Sequence, residues 1–477
     1  MKKIFSLALA AVTMAACTGD FDELNQDPNL ISEISPGTLL NPIIYDAASQ
    51  NANQAYSVTF NLMQVSLPYP SVSGGLHRYD VSPNIGNTAW NGYYRILANI
   101  REMRTAAETA QDNNYLAVAL TLNAWVYSNL TDVFGPVPMT EAVRGEEGIY
   151  YPAYDSQQHI YETILQDLET ANTLYNTSQV MPYASDILYA NNVAKWQKFT
   201  NSLRMRLLLR VSGRPETNAW ATLTQMVNNP TVYPVFTSNA DAAILNVTGV
   251  APLVSPWSRP QDFRLGVKLA SFFVDNLNST NDPRRPIIGT QATDLGTPPQ
   301  NIGYVGIPSG YAGPDSQFQY EASTFNITQV TNPMKIFIMS YAEVEFIKAE
   351  LAQRGYITGA DTYYTNGVTA AIQHMGGTVP EGFFDDEDAA YNGTLERIML
   401  QKYYALYFTD YQQWSEYRRT GLPQLPTTTA MQNGAVMPAR FTYPVDQNTF
   451  NNANYLEGIQ LLGGQDNINT HVWWDVD

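Results

Sequence analysis

The sequence predicts a mainly α protein: a tetratricopeptide-like solenoid scaffold of helical pairs that carries a large, irregular, loop-rich insertion. Three observations point there. Apolar residues recur at three- and four-residue spacing in one segment after another. These segments arrive in pairs with short connections, as in an α-solenoid, although the strict tetratricopeptide signature is absent. Between residues 229 and 338 the periodicity fades and Pro, Gly, Asn and Thr cluster instead. The 477 residues are read as a short N-terminal leader (1–17), a tether (18–38) and one domain (39–477). The domain divides into scaffold (39–228 and 339–421), loop-rich region (229–338) and C-terminal segment (422–477).

In chain order, residues 39–66 predict a helix through Leu40, Ile43, Ile44, Val58 and Leu62, followed by a Pro-, Gly- and Ser-rich loop at 66–84. A second helix covers 87–110. A third, from Leu116 to Leu130, is apolar on most sides and is therefore placed between neighbours. Asp155 is read as the N-cap of a fourth helix, with Gln158 at capping-box spacing. Its stripe is Ile160, Tyr161, Ile164, Leu168 and Ala171, and Glu162, Gln166, Asp167 and Glu169 are assigned to water. Helices at 191–212 and 215–228 complete the first block, and 266–277 is the one helix expected inside the irregular region. Helical order returns at 340, where Ser340 and Glu343 form a capping box and Gly355 a C-cap, and continues at 361–375. Residues 400–423 read as one long helix stopped by Gly421 and Pro423.

Composition narrows the function. A net charge of −18 excludes a protein that grips nucleic acid through phosphates. Aromatic residues make up 12% of the chain, 31 of them tyrosines, which supplies many rings with a polar edge. The single cysteine, Cys17, follows a basic start (Lys2, Lys3), an apolar run from Ile4 to Ala16, and two small residues, Ala15 and Ala16. This arrangement resembles a bacterial lipobox, which implies cleavage before Cys17 and a lipid on its thiol. Met14 stands where a branched aliphatic residue is usual. Asp20, Asp22 and Glu23 resemble the surface-export signal of Bacteroidetes lipoproteins and read equally well as a solvated acidic linker.

Several stretches resemble one family in its own order. They are FDELNQDPN (21–29), LTDVFGPVPMTEA (130–142), YPAYDSQQHIYETILQDLE (151–169), DPRRP (282–286), MSYAEVEFIKAEL (339–351), LQKYYALYFTDYQQWSEYRRTGLP (400–423), MPARFTYPVDQNTFNNANY (437–455) and THVWWD (470–475). On them the chain resembles the SusD/RagB family, the nutrient-binding lipoproteins of the Bacteroidetes outer surface. The resemblance implies a SusD-like fold and a lipid-anchored, surface-exposed protein of the outer membrane. It also implies a SusC-like TonB-dependent transporter as partner, an oligosaccharide or peptide as ligand, and no cofactor and no catalysis. In relatives the loops beside the helical scaffold line the ligand pocket. That implies a site among Tyr69, His77, Arg78 and Tyr79 of the first loop and Trp257, Arg259, Phe263, Tyr304, Tyr311 and Tyr320 of the second region. Trp257 and Tyr304 lead that set, being flanked by Pro or Gly and off any helical stripe. For each of these residues, packing of a loop onto the scaffold is the competing explanation. Trp90, Trp125, Trp196 and Trp414 sit in helices and are assigned to the core, and Trp473 and Trp474 to sealing the C-terminus. Trp414, Tyr417, Arg418 and Arg419 are read as a structural clamp.

Two other functions compete. A glycan hydrolase needs two carboxylates across a cleft. Glu343, Glu345 and Glu350 share one helix and cannot easily flank a sugar. His77, His159, His374 and His471 form no local metal-hydrolase spacing, and no nucleophile elbow or phosphate loop is present. The acidic run at 385–388 lacks the spacing of a calcium loop. The second competitor, a helical-repeat adaptor without nutrient binding, leaves the long aromatic insertion without a role.

Overall fold

A computed structural model describes residues 35–70 and 74–476. Cys17 and almost all of the expected tether lie outside the described residues. The first block is α1 (Pro36–Gln54), α2 (Asn87–Thr109), α3 (Asn113–Phe134), α4 (Gln157–Leu174), α5 (Val193–Arg210) and α6 (Ala219–Asn228). Each helix packs on its neighbour in sequence. α1 continues through a π-helical turn, Ala55–Thr59, into Phe60–Leu62. α3 is buried around nearly its whole circumference, as its all-round apolar composition requires.

The irregular region has a defined base. β2 (Ala243–Val247) pairs antiparallel with β7 (Met334–Met339), so the two ends of the insertion meet although they lie far apart in sequence. β1 (Ser66–Pro68) pairs with β3 (Val267–Leu269) and fastens the first loop to the insertion. β4 (Ala292–Asp294) is flanked by β5 (Asn301–Gly303) and β6 (Tyr320–Glu321). α7 (Ser271–Ser279) begins only after β3, so the helix expected over 266–277 is a strand followed by a helix. The pairing partner across the insertion, invisible to local periodicity, decides the first half of that segment.

The second block is α8 (Tyr341–Gln353), α9 (Ala360–His374), α10 (Leu395–Ala405) and α11 (Gln412–Thr420). The long helix expected at 400–423 is therefore two helices. The break at 406–411 carries φ of 64° at Phe408 and 29° at Asp410, outside the helical range. The buried Asp410 holds it: its Oδ1 accepts from the Tyr411 amide at 2.6 Å and from Gln412 Nε2 at 2.7 Å. Apolar spacing continues across this turn, which is why it reads as helix. α12 (Asn452–Leu461) follows in the C-terminal segment.

Two capping expectations change. Ser156, not Asp155, caps α4, accepting from the His159 amide at 3.2 Å. The Asp155 carboxylate instead accepts from the Met139 and Thr140 amides at 2.7 and 2.9 Å, tying the preceding loop down. Ser340 caps α8 through the Glu343 amide at 3.2 Å. The Glu343 side chain, however, pairs with Arg206 of α5 at 2.6 and 2.5 Å rather than closing a capping box. On α4, Glu162 and Gln166 face water. Asp167 and Glu169 are half-buried, Asp167 against Asn123 and Glu169 in a salt bridge with Arg204.

The core holds Trp90, Trp125, Trp196 and Trp414. Trp474 seals the C-terminus: its indole Nε1 donates to Asp132 Oδ1 at 2.7 Å, and its amide donates to Gln157 at 3.2 Å.

Candidate functional site

Three distant segments meet on the loop side. β1 delivers Tyr69, whose amide donates to the Gly266 carbonyl at 2.8 Å. The short 3₁₀ turn Leu76–Arg78 ends at Tyr79, whose φ of 61° is left-handed. The Arg78 guanidinium lies 5.2 Å from the Tyr311 ring centre. Segment 428–432 ties both loops together. The Gln432 amide donates to the Arg78 carbonyl at 2.7 Å, and the Thr428 hydroxyl to the Gly310 carbonyl. Gly310 is required at this contact: its φ is +63°, and a Cβ would lie 2.7 Å from Met431 Cγ.

The outcome is a chain of rings. Tyr69 lies 6.5 Å from Tyr311, Tyr311 meets Phe318 edge-on at 4.8 Å, and Phe318 lies 6.1 Å from Tyr320. Tyr69, Phe318 and Tyr320 are half-buried and Tyr311 is buried. The phenols are fixed: Tyr69 donates to the Asp315 carbonyl at 3.1 Å, Tyr320 to the Gly306 carbonyl at 3.0 Å, and Tyr311 to the Asp315 carboxylate. Burial, then the Asp315 and Glu321 carboxylates, push the Tyr69 phenol up, so it stays a donor. Exposed Gln317, Gln319 and Glu321, next to Phe318 and Tyr320 in the chain, supply polar groups beside the rings. Such a surface can stack against an apolar ligand face and hydrogen-bond at its edges.

The remaining expected residues separate. His77 and Tyr79 are buried, Tyr79 in the main core. Burial, with help from Arg78, lowers His77 to about 4, and burial pushes Tyr79 up to about 12, so both are neutral near pH 7. Trp257 is 9% exposed and Phe263 is 0% exposed. They pack 5.3 Å apart in an inner cluster with Tyr56 and Phe408. The Pro256 neighbour marked Trp257 as a loop residue but carries no information on which way its ring points. Arg259 is exposed and paired with Asp262 at 2.9 Å. Tyr304 is half-buried beneath the Arg285 guanidinium, 5.4 Å from its ring centre, and has no ring contact with Tyr69 or Tyr311 among the described residues. Phe318 and segment 428–432 were missed. Phe318 carries the same signal as the residues that were chosen, an aromatic in a Pro- and Gly-rich loop, whereas nothing in 428–432 signals contact with residues more than a hundred positions away.

The clamp lies elsewhere. Arg418 donates to the Asp132 and Ala439 carbonyls, both at 2.7 Å. Arg419 binds Glu350 at 2.9 and 2.7 Å and Glu416 at 2.7 Å. Arg284 of the DPRRP stretch is fully buried, binding Asp282 and reaching Gln401 of α10 at 2.8 Å. The most recognisable motifs thus hold the scaffold together. Glu343, Glu345 and Glu350 are at most 2% exposed. Their partners are Arg206, Lys348 and Arg419. Among the described residues no cluster of His, Cys, Asp or Glu is placed to hold a metal ion, and no helix is long and apolar enough to cross a membrane.

Comparison with known proteins agrees with this architecture. Residues 28–444 match the SusD-like family model described as starch-binding and associating with outer membrane. A solved structure described as a chitin-binding protein is 25% identical, with a TM-score of 0.80 over 93% of this chain and 100% of that one. Two SusD homologues from Bacteroides fragilis are 23% and 25% identical, with TM-scores of 0.78 and 0.77. Each covers 93% of this chain, and the match spans 100% and 99% of their own lengths. A search of curated proteins finds no match. With its paired helices, the loop insertion closed at its base and a family match over most of its length, the chain belongs to the SusD-like family of nutrient-binding proteins associated with the outer membrane.

Proposed function

We propose that this protein captures an oligosaccharide on the Tyr69–Tyr311–Phe318–Tyr320 ring chain and hands it to a SusC-like TonB-dependent transporter. A lipid on Cys17 anchors it at the cell surface, and the residues after Cys17 act as the tether about which it opens and closes. The step is binding and release, without bond cleavage. The observation that carries this reading is the ring chain itself: three half-buried rings around the buried Tyr311, with the tyrosine phenols fixed, assembled from segments more than two hundred residues apart. The pairing of the buried α8 glutamates with Arg206, Lys348 and Arg419 argues against using them as a hydrolase pair. The relative described as chitin-binding favours a glycan over a peptide. Tyr304 and Arg259 serve as outer contacts, while Trp257, Phe263, His77 and Tyr79 support the loops from inside.

The test is calorimetric titration of chito- and malto-oligosaccharides, with short peptides alongside, into the mature soluble protein. Tyr69→Ala combined with Tyr320→Ala should weaken glycan binding at least tenfold, about 1.4 kcal/mol, with the melting transition retained. Full affinity in that variant removes the ring chain as the site. Cleavage products from any of the glycans would make the protein a hydrolase, and binding of peptides alone would replace the ligand class.

A further inference from the structure

A second cleft lies where the insertion joins the scaffold. It encloses about 450 Å³ between the β2–β7 pair, the short helix Arg285–Ile288 and the C-terminal end of α9. That is within the usual range for small-molecule sites. Val247, Ile287, Phe337, Met375 and Phe408 form apolar walls. No residue of the ring chain lines it, and the Phe408 ring also packs against Trp257 and Phe263, at 5.6 and 5.7 Å.

Its charge is unusual for this molecule. The chain carries −18 overall, yet no Asp or Glu lines the cleft. Its one cation is the exposed Lys335, whose Nζ donates to the His374 carbonyl at 3.2 Å and forms no salt bridge among the described residues. His374 forms part of the wall, 6% exposed and packed 4.9 Å from the Phe337 ring. Its Nδ1 has no hydrogen-bond partner among the described residues. The Gln329 amide, by contrast, is spent: it donates to the Ile288 carbonyl at 2.8 Å and accepts from Tyr407 at 2.7 Å.

We infer that this cleft is a second ligand site, separate from the ring chain, that takes an apolar group bearing one carboxylate. The aryl or branched-alkyl body lies between Phe337, Phe408 and Met375, and the carboxylate pairs with Lys335. A free aromatic or aliphatic acid and the C-terminal apolar residue of a peptide share this chemistry.

Ligand-observed NMR titration tests it on the mature soluble protein, with phenylpropionate, N-acetylphenylalanine, N-acetylphenylalanine amide and a short peptide ending in Phe. At least one of the carboxylates should bind with a dissociation constant on the order of 1 mM or tighter. The amide should bind at least tenfold more weakly. Lys335→Met should lose the preference for carboxylate over amide and Lys335→Arg should keep it, while Tyr69→Ala should leave it unchanged. Stronger binding of the peptide identifies a peptide C-terminus as the source, and stronger binding of the free acids identifies small carboxylates. No binding by any carboxylate, equal binding of acid and amide, or loss on Tyr69→Ala overturns the site. Glycan affinity at the ring chain is read separately, so either assignment can fail alone.

Discussion

His374 shows how a single residue ties stability to pH. Burial, reinforced by the Arg284 and Lys335 cations, lowers its pKa from 6.5 to about 3. The folded protein therefore refuses a proton that the unfolded chain accepts below about pH 6.5. Stability from this residue is fully present above that pH and falls as the pH drops from 6.5 toward about 3. Between pH 7 and pH 5 the loss from this one group is about 2 kcal/mol. Urea unfolding should show His374→Leu losing about 2 kcal/mol less than the wild type over that interval, and equal losses in the two proteins would refute the assignment. The buried side chain was legible only as a histidine in a helix. Its surroundings come from β7 and the DPRRP stretch, which no local pattern places beside α9. The same limit explains the aromatic residues. Trp257 and Tyr69 look alike in sequence, yet one packs in the inner cluster and the other is half-buried in the ring chain.

Helices declare themselves through their stripes, because each buries one face against a neighbour whatever that neighbour is. The predicted spans of α2, α5 and α9 therefore agree closely with the observed ones. The strands do not declare themselves. β1, β3, β4 and β5 have three residues each and depend on partners elsewhere in the chain. Joins between elements follow the same rule. α8, α10 and α11 are locked by a buried network in which Glu350 binds Arg419, and Glu416 binds both Arg419 and Lys402. Burial opposes the Glu350 charge, but Arg419, Lys402 and Arg354 overcome it and hold the carboxyl below its usual range. Arg419→Ala removes the largest of these compensating charges, leaves Glu350 with Arg354 at 2.8 Å, strips Glu416 of one partner, and should cost about 3 kcal/mol in chemical unfolding. A loss under 1 kcal/mol would show that the network does not join these helices.

Across the whole molecule, the insertion is closed at its base by β2 and β7 and laced to the first loop by β1 and β3, so the loops that carry the ring chain are tied to the scaffold by paired strands. In the proposed scheme, delivery to a transporter depends on the lipid at Cys17. Cys17→Ala should move the protein from the membrane fraction to the soluble fraction when it is expressed without a transporter, and continued anchoring would remove the lipid from the scheme. The sequence by itself determined the helical scaffold, the family and the two loop regions that meet at the ring chain. Stripes and motifs are local, and the motifs at 282–286, 339–351 and 400–423 turn out to be clamps of the scaffold. Only the tertiary structure decided which rings face outward, where the long C-terminal helix breaks, and that a carboxylate-free cleft lies at the base of the insertion. Each of these depends on contacts between residues tens to hundreds of positions apart, and burial and charge at such contacts are properties of the packed molecule.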